Sequence, residues 1–260
     1  MSTTSLSFTN GAGLRLSAAL DEPTEQPPLG YAVFAHCFSC SKDYKAPVRV
    51  SRGLAALGMA TLRFDFPGLG KSQGQFKETT LSGNASDVVY ASRFLAERAA
   101  PPAVLIGHSM GGAAVLRAAA LLDHVRLVVT LGAPARPASE SPTFLQARAE
   151  AEVRGLAELE IAGRKLELDQ AFFRDLDRHP LLETVARLPQ SLLVFHSPCD
   201  EVVPFADAER IFRAAPGPKS FVSLEGADHM LSRRADTELV AAVVGAWCRR
   251  YLGPARAGAP

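Results

Sequence analysis

The chain has 260 residues, 47% of them hydrophobic and 21% charged, and a formal net charge of +1 at pH 7. That length and apolar content suit one α/β domain with a well-buried core, and the balanced charge leaves no basic footprint for nucleic acid or an anionic membrane surface. No apolar run approaches the roughly 18 residues a membrane-crossing helix needs, and Met1 to Gly13 has neither a basic start nor an apolar segment, so the expectation is a cytoplasmic protein with reduced cysteines.

Leu6 to Phe8 and Leu14 to Leu20 predict a hairpin turning at Asn10-Gly11. A proline-rich connection, Asp21 to Gly30, leads to a third strand, Tyr31 to Ala35, which runs into His36-Cys37-Phe38-Ser39-Cys40-Ser41-Lys42-Asp43. Val48 to Leu57 has helical spacing and stops at Gly58, and Ala60 to Phe64 is the fourth strand. Asn84 to Ala99 predicts a helix with Val88, Ala91, Phe94 and Leu95 on one face, ended by Pro101-Pro102. Ala103 to Ile106 and Leu127 to Leu131 read as strands around an alanine-rich helix, Gly112 to Leu122. Ser191 to His196 and Lys219 to Leu224 are the last strands. Asp236 to Tyr251 is the last helix, with Leu239, Val240, Val243, Val244 and Trp247 at core spacing. Such alternation calls for a largely parallel sheet with helices on both faces. It breaks over about 133–189, where Leu159 to Leu168 alternates around Gly163 as a small hairpin and a helix follows from about Asp169 to Asp177.

Gly107-His108-Ser109-Met110-Gly111 lies between the strand at 103–106 and the helix at 112–122. In that setting G-x-S-x-G is a nucleophile turn: glycines flank the serine because a side chain there would strike neighbouring backbone, and the first N–H groups of the helix face whatever binds. A serine hydroxyl needs a base and an acid, in the chain order Ser, then Asp or Glu, then His. Asp200 follows the strand 191–196 in Ser-Pro-Cys-Asp-Glu-Val-Val-Pro, and His229 follows the strand 219–224 in Glu-Gly-Ala-Asp-His-Met. All three sit past the C-terminal ends of strands, the edge where open α/β sheets bind ligands. Glu201, Asp207 and Asp228 are alternative acids. Among the histidines, His124 and His179 lie in polar connections, while His36, His108 and His196 close strands as structural groups or pocket walls. The N–H of Met110, directly after the serine, is the first oxyanion donor.

With these residues in place, the chain resembles the α/β-hydrolase superfamily over essentially its whole length. Asp65-Phe66-Pro67-Gly68-Leu69-Gly70-Lys71-Ser72 is similar to the D-x-x-G-x-G-x-S loop that follows the fourth strand in many members. The runs 34–43, 220–224 and 226–236 are similar to a narrower group, the hydrolase halves often fused to an OsmC-like peroxide-reducing domain. The tail 253–260 is too short for a further domain, so a free-standing member is expected. The resemblance implies an α/β-hydrolase fold over 1–260 with a cap at about 133–189, and it makes Phe38 the second oxyanion donor. Where the family commonly has glycine this chain has Cys37, which would be strained if the loop required a positive φ there. His36, Cys37, His108, Phe144, Phe172 and Phe173 are the expected substrate-side residues, the phenylalanines being equally suited to attach the cap to the body.

The expected activity is hydrolysis of a carboxylic ester or related acyl bond of a small molecule, with no metal or organic cofactor. A peptidase, thioesterase or acyltransferase on the same residues, and a non-catalytic binding or sensing protein, are the alternatives. Cys37-x-x-Cys40 and His196-x-x-Cys199 raise a rival reading in zinc or thiol chemistry, and oxidation of the first pair would disturb the oxyanion loop. Arg233 and Arg234 read either as a carboxylate contact or as a solvated pair.

Overall fold

The computed structural model describes residues 1–38, 40–136, 142–161 and 163–252. Ser39 of the expected oxyanion loop, part of the expected cap at 137–141, Ala162 and the tail 253–260 lie outside the described residues.

Among the described residues eight strands form one sheet in the order β1-β2-β4-β3-β5-β6-β9-β10. They are β1 (Ser2–Thr9), β2 (Arg15–Glu22), β3 (Gly30–Ala35), β4 (Met59–Phe64), β5 (Val104–His108), β6 (Leu127–Leu131), β9 (Ser191–His196) and β10 (Lys219–Ser223). β1 and β2 pair antiparallel, β2 meets β4 antiparallel, and every pairing from β4 onward is parallel. The opening hairpin is longer than an Asn10-Gly11 turn predicts. Thr9 pairs with Arg15, and the Asn10 carboxamide oxygen accepts from Ala12 N and Leu14 N at 3.1 and 3.0 Å, organising a wider loop.

Inner strands face two helix layers and so are apolar on both sides, as parallel strands must be. Ala32 and Phe34 of β3, Ile106 of β5 and Val129 of β6 pack against α1 (Lys45–Ala56) and α8 (Arg234–Leu252) through Val50, Leu54, Val240 and Val244. Val33, Leu105 and Val128, on the other face, pack with residues of α2 (Leu81–Arg98) and α3 (Met110–Ala119), among them Val88, Leu95, Val115 and Leu116. The α2 N-terminus is closed by Thr80, whose hydroxyl accepts from Gly83 N at 2.9 Å.

Between β6 and β9 run α4 (Pro142–Arg154), the separate hairpin β7–β8 (Leu156–Ile161 and Arg164–Asp169), α5 (Gln170–Arg178) and α6 (Leu181–Val185). The hairpin and α5 follow the expectation from sequence. Helix α4 was not legible, and neither was α7 (Phe205–Ala214), which connects β9 to β10. Among the described residues no helix is long and apolar enough to cross a membrane.

Candidate active site

β5 ends on His108, and the chain turns through Ser109 at φ 54°, ψ −124° before α3 starts at Met110. A non-glycine residue in that region is strained, and the surroundings enforce it. Ser109 N donates to Leu131 O at 2.8 Å, and Ser109 O accepts from Gly112 N at 2.8 Å. A Cβ on Gly107 would collide with the Gly111 carbonyl, and one on Gly111 with the carbonyls of Ala35 and His36. The two glycines are therefore required by space, as the motif predicted.

Asp200 and His229 meet on the loops after β9 and β10. His229 Nδ1 and Asp200 Oδ2 are 2.8 Å apart, while Asp200 Oδ1 accepts from Val202 N and Val203 N, both at 2.9 Å. Burial pushes the Asp200 carboxyl pKa up, but the His229 hydrogen bond and charge, with the two backbone N–H groups, outweigh it and hold the pKa below the ordinary carboxylate value. The pair fits because Gly132, at φ 56° past β6, presents no side chain: a Cβ there would lie 3.1 Å from Asp200 Oδ2 and 3.5 Å from His229 Nδ1. Ser197 Oγ donates to Ala227 O at 2.6 Å and ties the two loops together. Of the alternative acids, Asp207 accepts from Ala135 N and pairs with Arg210, Asp228 accepts from Ser232 N, and Glu201 is exposed.

The loop after β3 is held by groups distant in sequence. Phe66 N reaches His36 Nε2 at 3.4 Å, which makes that nitrogen an acceptor; Nδ1 then carries the proton and donates to Cys37 O at 2.6 Å. Desolvation lowers the His36 pKa and keeps the ring neutral. Cys37 O also accepts from Cys40 N at 3.2 Å. A planar trans peptide points its C=O and N–H in opposite directions, so these bonds fix the direction of the Phe38 N–H. Further along, Asp65 Oδ1 accepts from Lys42 N at 2.6 Å and Asp65 Oδ2 from Lys71 N at 3.0 Å, with Lys42 Nζ at 3.2 Å. Arg63 donates to Lys42 O at 2.7 Å while pairing with Asp21 at 2.6 Å. Asp65, Lys42, Arg63 and Asp21 are all buried. The aspartate that opens the D-x-x-G-x-G-x-S run thus clamps the loop after β3, a role its motif did not reveal.

Three expectations about this loop are corrected. Among the described residues only Ser109 and Leu231 are non-glycine residues at positive φ, so Cys37 needs no glycine-like backbone. Cys37 and Cys40 are joined in a disulfide and not reduced. His36, Cys37 and His108, expected on the substrate side, have 0%, 2% and 0% of their surface exposed and brace the loops from behind. His108 Nε2 donates to His229 O at 2.7 Å.

Phe172 is buried and packs on Phe38, ring centroids 5.7 Å apart, and on Phe173 at 5.4 Å. Phe144 is partly buried against the same core. The aromatic residues of the insertion therefore attach it to the body, with Phe172 reaching Phe38. The zinc reading loses its four-ligand set: Cys199 is an exposed free thiol and His196 Nε2 donates to Val203 O at 3.0 Å. Arg233 and Arg234 pair with Asp236 and Glu238 on the surface.

A strained serine between a parallel strand and a helix, with an Asp–His pair on two further loops of the same sheet edge, is the arrangement of an α/β hydrolase. The chain belongs to that family: the profile of the Alpha/beta hydrolase family matches residues 32–243. Its structure is similar to that of the esterase domain of a Rhodothermus marinus protein, with 42% identity, a TM-score of 0.80, and coverage of 97% of this chain and 100% of that one. Mouse alpha/beta hydrolase domain-containing protein 10 shares the fold at 20% identity and a TM-score of 0.79, covering 95% of this chain and 99% of that one. In sequence the chain is 26% identical over 200 residues to palmitoyl-protein thioesterase ABHD10, mitochondrial, of Mus musculus, and 24% identical over 193 residues to its Homo sapiens counterpart. These matches cover 74% and 71% of this chain but only 66% and 62% of those relatives.

Proposed function

We propose that this hydrolase cleaves a carboxylic ester or thioester of a small molecule through Ser109, His229 and Asp200. The observation that carries the reading is the 2.8 Å His229–Asp200 bond, made through Nδ1 so that Nε2 is the free nitrogen, on the edge where Ser109 stands in its strained turn. His229 Nε2 removes the Ser109 proton as the oxygen attacks the acyl carbonyl, and Asp200 holds the ring in the required tautomer and stabilises its positive form. The N–H groups of Met110 and Phe38 receive the developing oxyanion, each worth about 3 to 4 kcal/mol in the transition state. His229 then returns the proton to the leaving group and activates the water that releases the acyl chain.

The insertion between β6 and β9 is read as the cap of the acyl site, with Phe172 as its contact to the oxyanion loop and the whole of 1–260 as one domain. Support for an oxygen ester comes from the esterase domain at 42% identity, and support for a thioester from the more distant thioesterases. The cytoplasmic setting expected from the sequence belongs to the same proposal. The experiment compares kcat/KM for an oxygen ester and a thioester of the same acyl chain, on the wild type and Ser109→Ala. Turnover of either class that vanishes in the variant supports the reading, and the ratio chooses between the classes. Equal turnover by the variant overturns it.

A further inference from the structure

Behind the oxyanion loop lies a cluster that the hydrolytic mechanism does not use. Cys37, Cys40 and His108 are each buried, and the two sulfurs and a ring nitrogen of His108 all lie within 4.8 Å of one another. Among the described residues His108 Nδ1 has no hydrogen-bond partner, while Nε2 is engaged with the His229 carbonyl at 2.7 Å. We propose that Cys37 and Cys40 form a reversible thiol–disulfide site, with His108 as its sensor, whose closed form holds the Phe38 oxyanion donor and whose open form slackens it. The inference rests on the hydrolase reading above.

The orphaned nitrogen explains why the site has two states. In the disulfide neither sulfur carries hydrogen, so a buried lone pair goes without a donor. Opened, the pair supplies two S–H donors beside the His108 ring. His108 can accept because it stays neutral, its pKa pushed down to about 3 by burial and by His229 nearby. The consequence reaches the reaction through position. The disulfide spans Phe38, whose N–H direction is set by the Cys37 peptide and whose ring packs on Phe172 and Phe76, and the His108 beside the two sulfurs immediately precedes Ser109.

The chemistry balances with a small dithiol as reductant. Its thiolate attacks one sulfur, the other leaves as thiolate, and the second thiol of the reductant resolves the mixed disulfide. The protein pair gains two electrons and two protons, and the reductant departs as its own disulfide. Cys37 and Cys40 are each 2% exposed, so exchange waits for the loop to open and is slow.

The test assigns the state first, by intact mass after alkylating thiols in denaturant: the closed protein takes adducts at Cys199 and Cys248, the open one at all four cysteines. kcat for a short p-nitrophenyl ester is expected to fall about tenfold on opening, less than the 10²–10³ lost when an oxyanion donor is removed outright, and to return on reclosure by a small disulfide. Cys40→Ser, which leaves the Cys37 peptide in place, is expected at the lower rate with or without dithiol. The ¹⁵N resonance of His108 Nδ1 is expected to move on opening, and it decides the thiol site even if no ester is turned over, a result that would count against the hydrolase reading instead. Equal kcat in the two verified states, or a pair that never opens in folded protein, overturns the proposal.

Discussion

The turn that carries Ser109 and the loop that carries Phe38 lie side by side at one sheet edge, yet they are built by opposite means. The Ser109 turn is held by steric exclusion within a few residues: Gly107 and Gly111 leave no room for a side chain, and the backbone closes on itself at Ser109 and Gly112. The Phe38 loop is held by side chains from β2, β4 and the loop after β4, namely Asp21, Arg63 and Asp65, together with His36 and the disulfide. A local steric device tolerates almost no change at its own positions. A network of buried charges fails when any one partner is removed, because the others are left uncompensated.

Replacing the hydroxyl is expected to have the largest effect. Ser109→Ala should lower kcat by about 10⁶-fold, as removal of a triad nucleophile does, with the thermal transition essentially unchanged because alanine keeps the same Cβ in the same strained turn. Next comes the clamp on the Phe38 loop. Asp65→Ala leaves Lys42 without its buried partner and strips acceptors from Lys42 N and Lys71 N, so it should cost about 3 to 5 kcal/mol by denaturant unfolding, together with a loss of kcat. Gly111→Ala should fail at the steric device, its methyl group meeting two backbone carbonyls; a destabilisation of at least about 2 kcal/mol with sharply reduced turnover is expected.

A smaller effect sharpens the comparison from outside both regions. Among the described residues only Asn10 Nδ2 donates to the buried Asp87, at 2.7 Å, and desolvation raises its pKa from 3.8 to about 6. The native state therefore holds this proton more tightly than the unfolded chain, so Asp87 favours folding fully below about pH 4 and loses that contribution as pH rises through 6. The span is about 3 kcal/mol. Asp87→Asn keeps the acceptor for Asn10 and should raise stability at pH 8 by about 1 to 3 kcal/mol while flattening the pH dependence between 4 and 6. Denaturant midpoints at pH 4.5 and 8 check it. A variant no more stable at pH 8 than at 4.5 relative to wild type would contradict it.

The same contrast explains what could be read in the sequence. Steric and periodic signals are local, so the strands and the Ser109 turn were legible, and the expected pairing of Asp200 with His229 is met at 2.8 Å. Helix α4 was not legible because only Ala147 and Ala151 of it are buried, which leaves no apolar stripe among its charges. Helix α7 differs: Phe205, Ala208, Ile211 and Phe212 stand at helical spacing, but the stripe spans only two turns between two post-strand loops. The clamp was hidden because Asp65 and Lys42 are 23 residues apart and Arg63 and Asp21 are 42 apart, separations that no motif spans. The disulfide was missed because a C-x-x-C is equally compatible with free thiols, a metal or a bond, and composition favoured the first. Gly132 gave no signal beyond following a strand. Its role emerges only when Asp200 and His229 arrive beside it.

The most direct measurement of the central claim is fluorophosphonate labelling of the folded protein with mapping of the modified peptide. A single adduct at Ser109, absent in Ser109→Ala and strongly reduced in His229→Ala, is the predicted result, since only a serine activated by His229 reacts at an appreciable rate. An unlabelled folded protein, or labelling that persists at Ser109 without His229, would contradict the account.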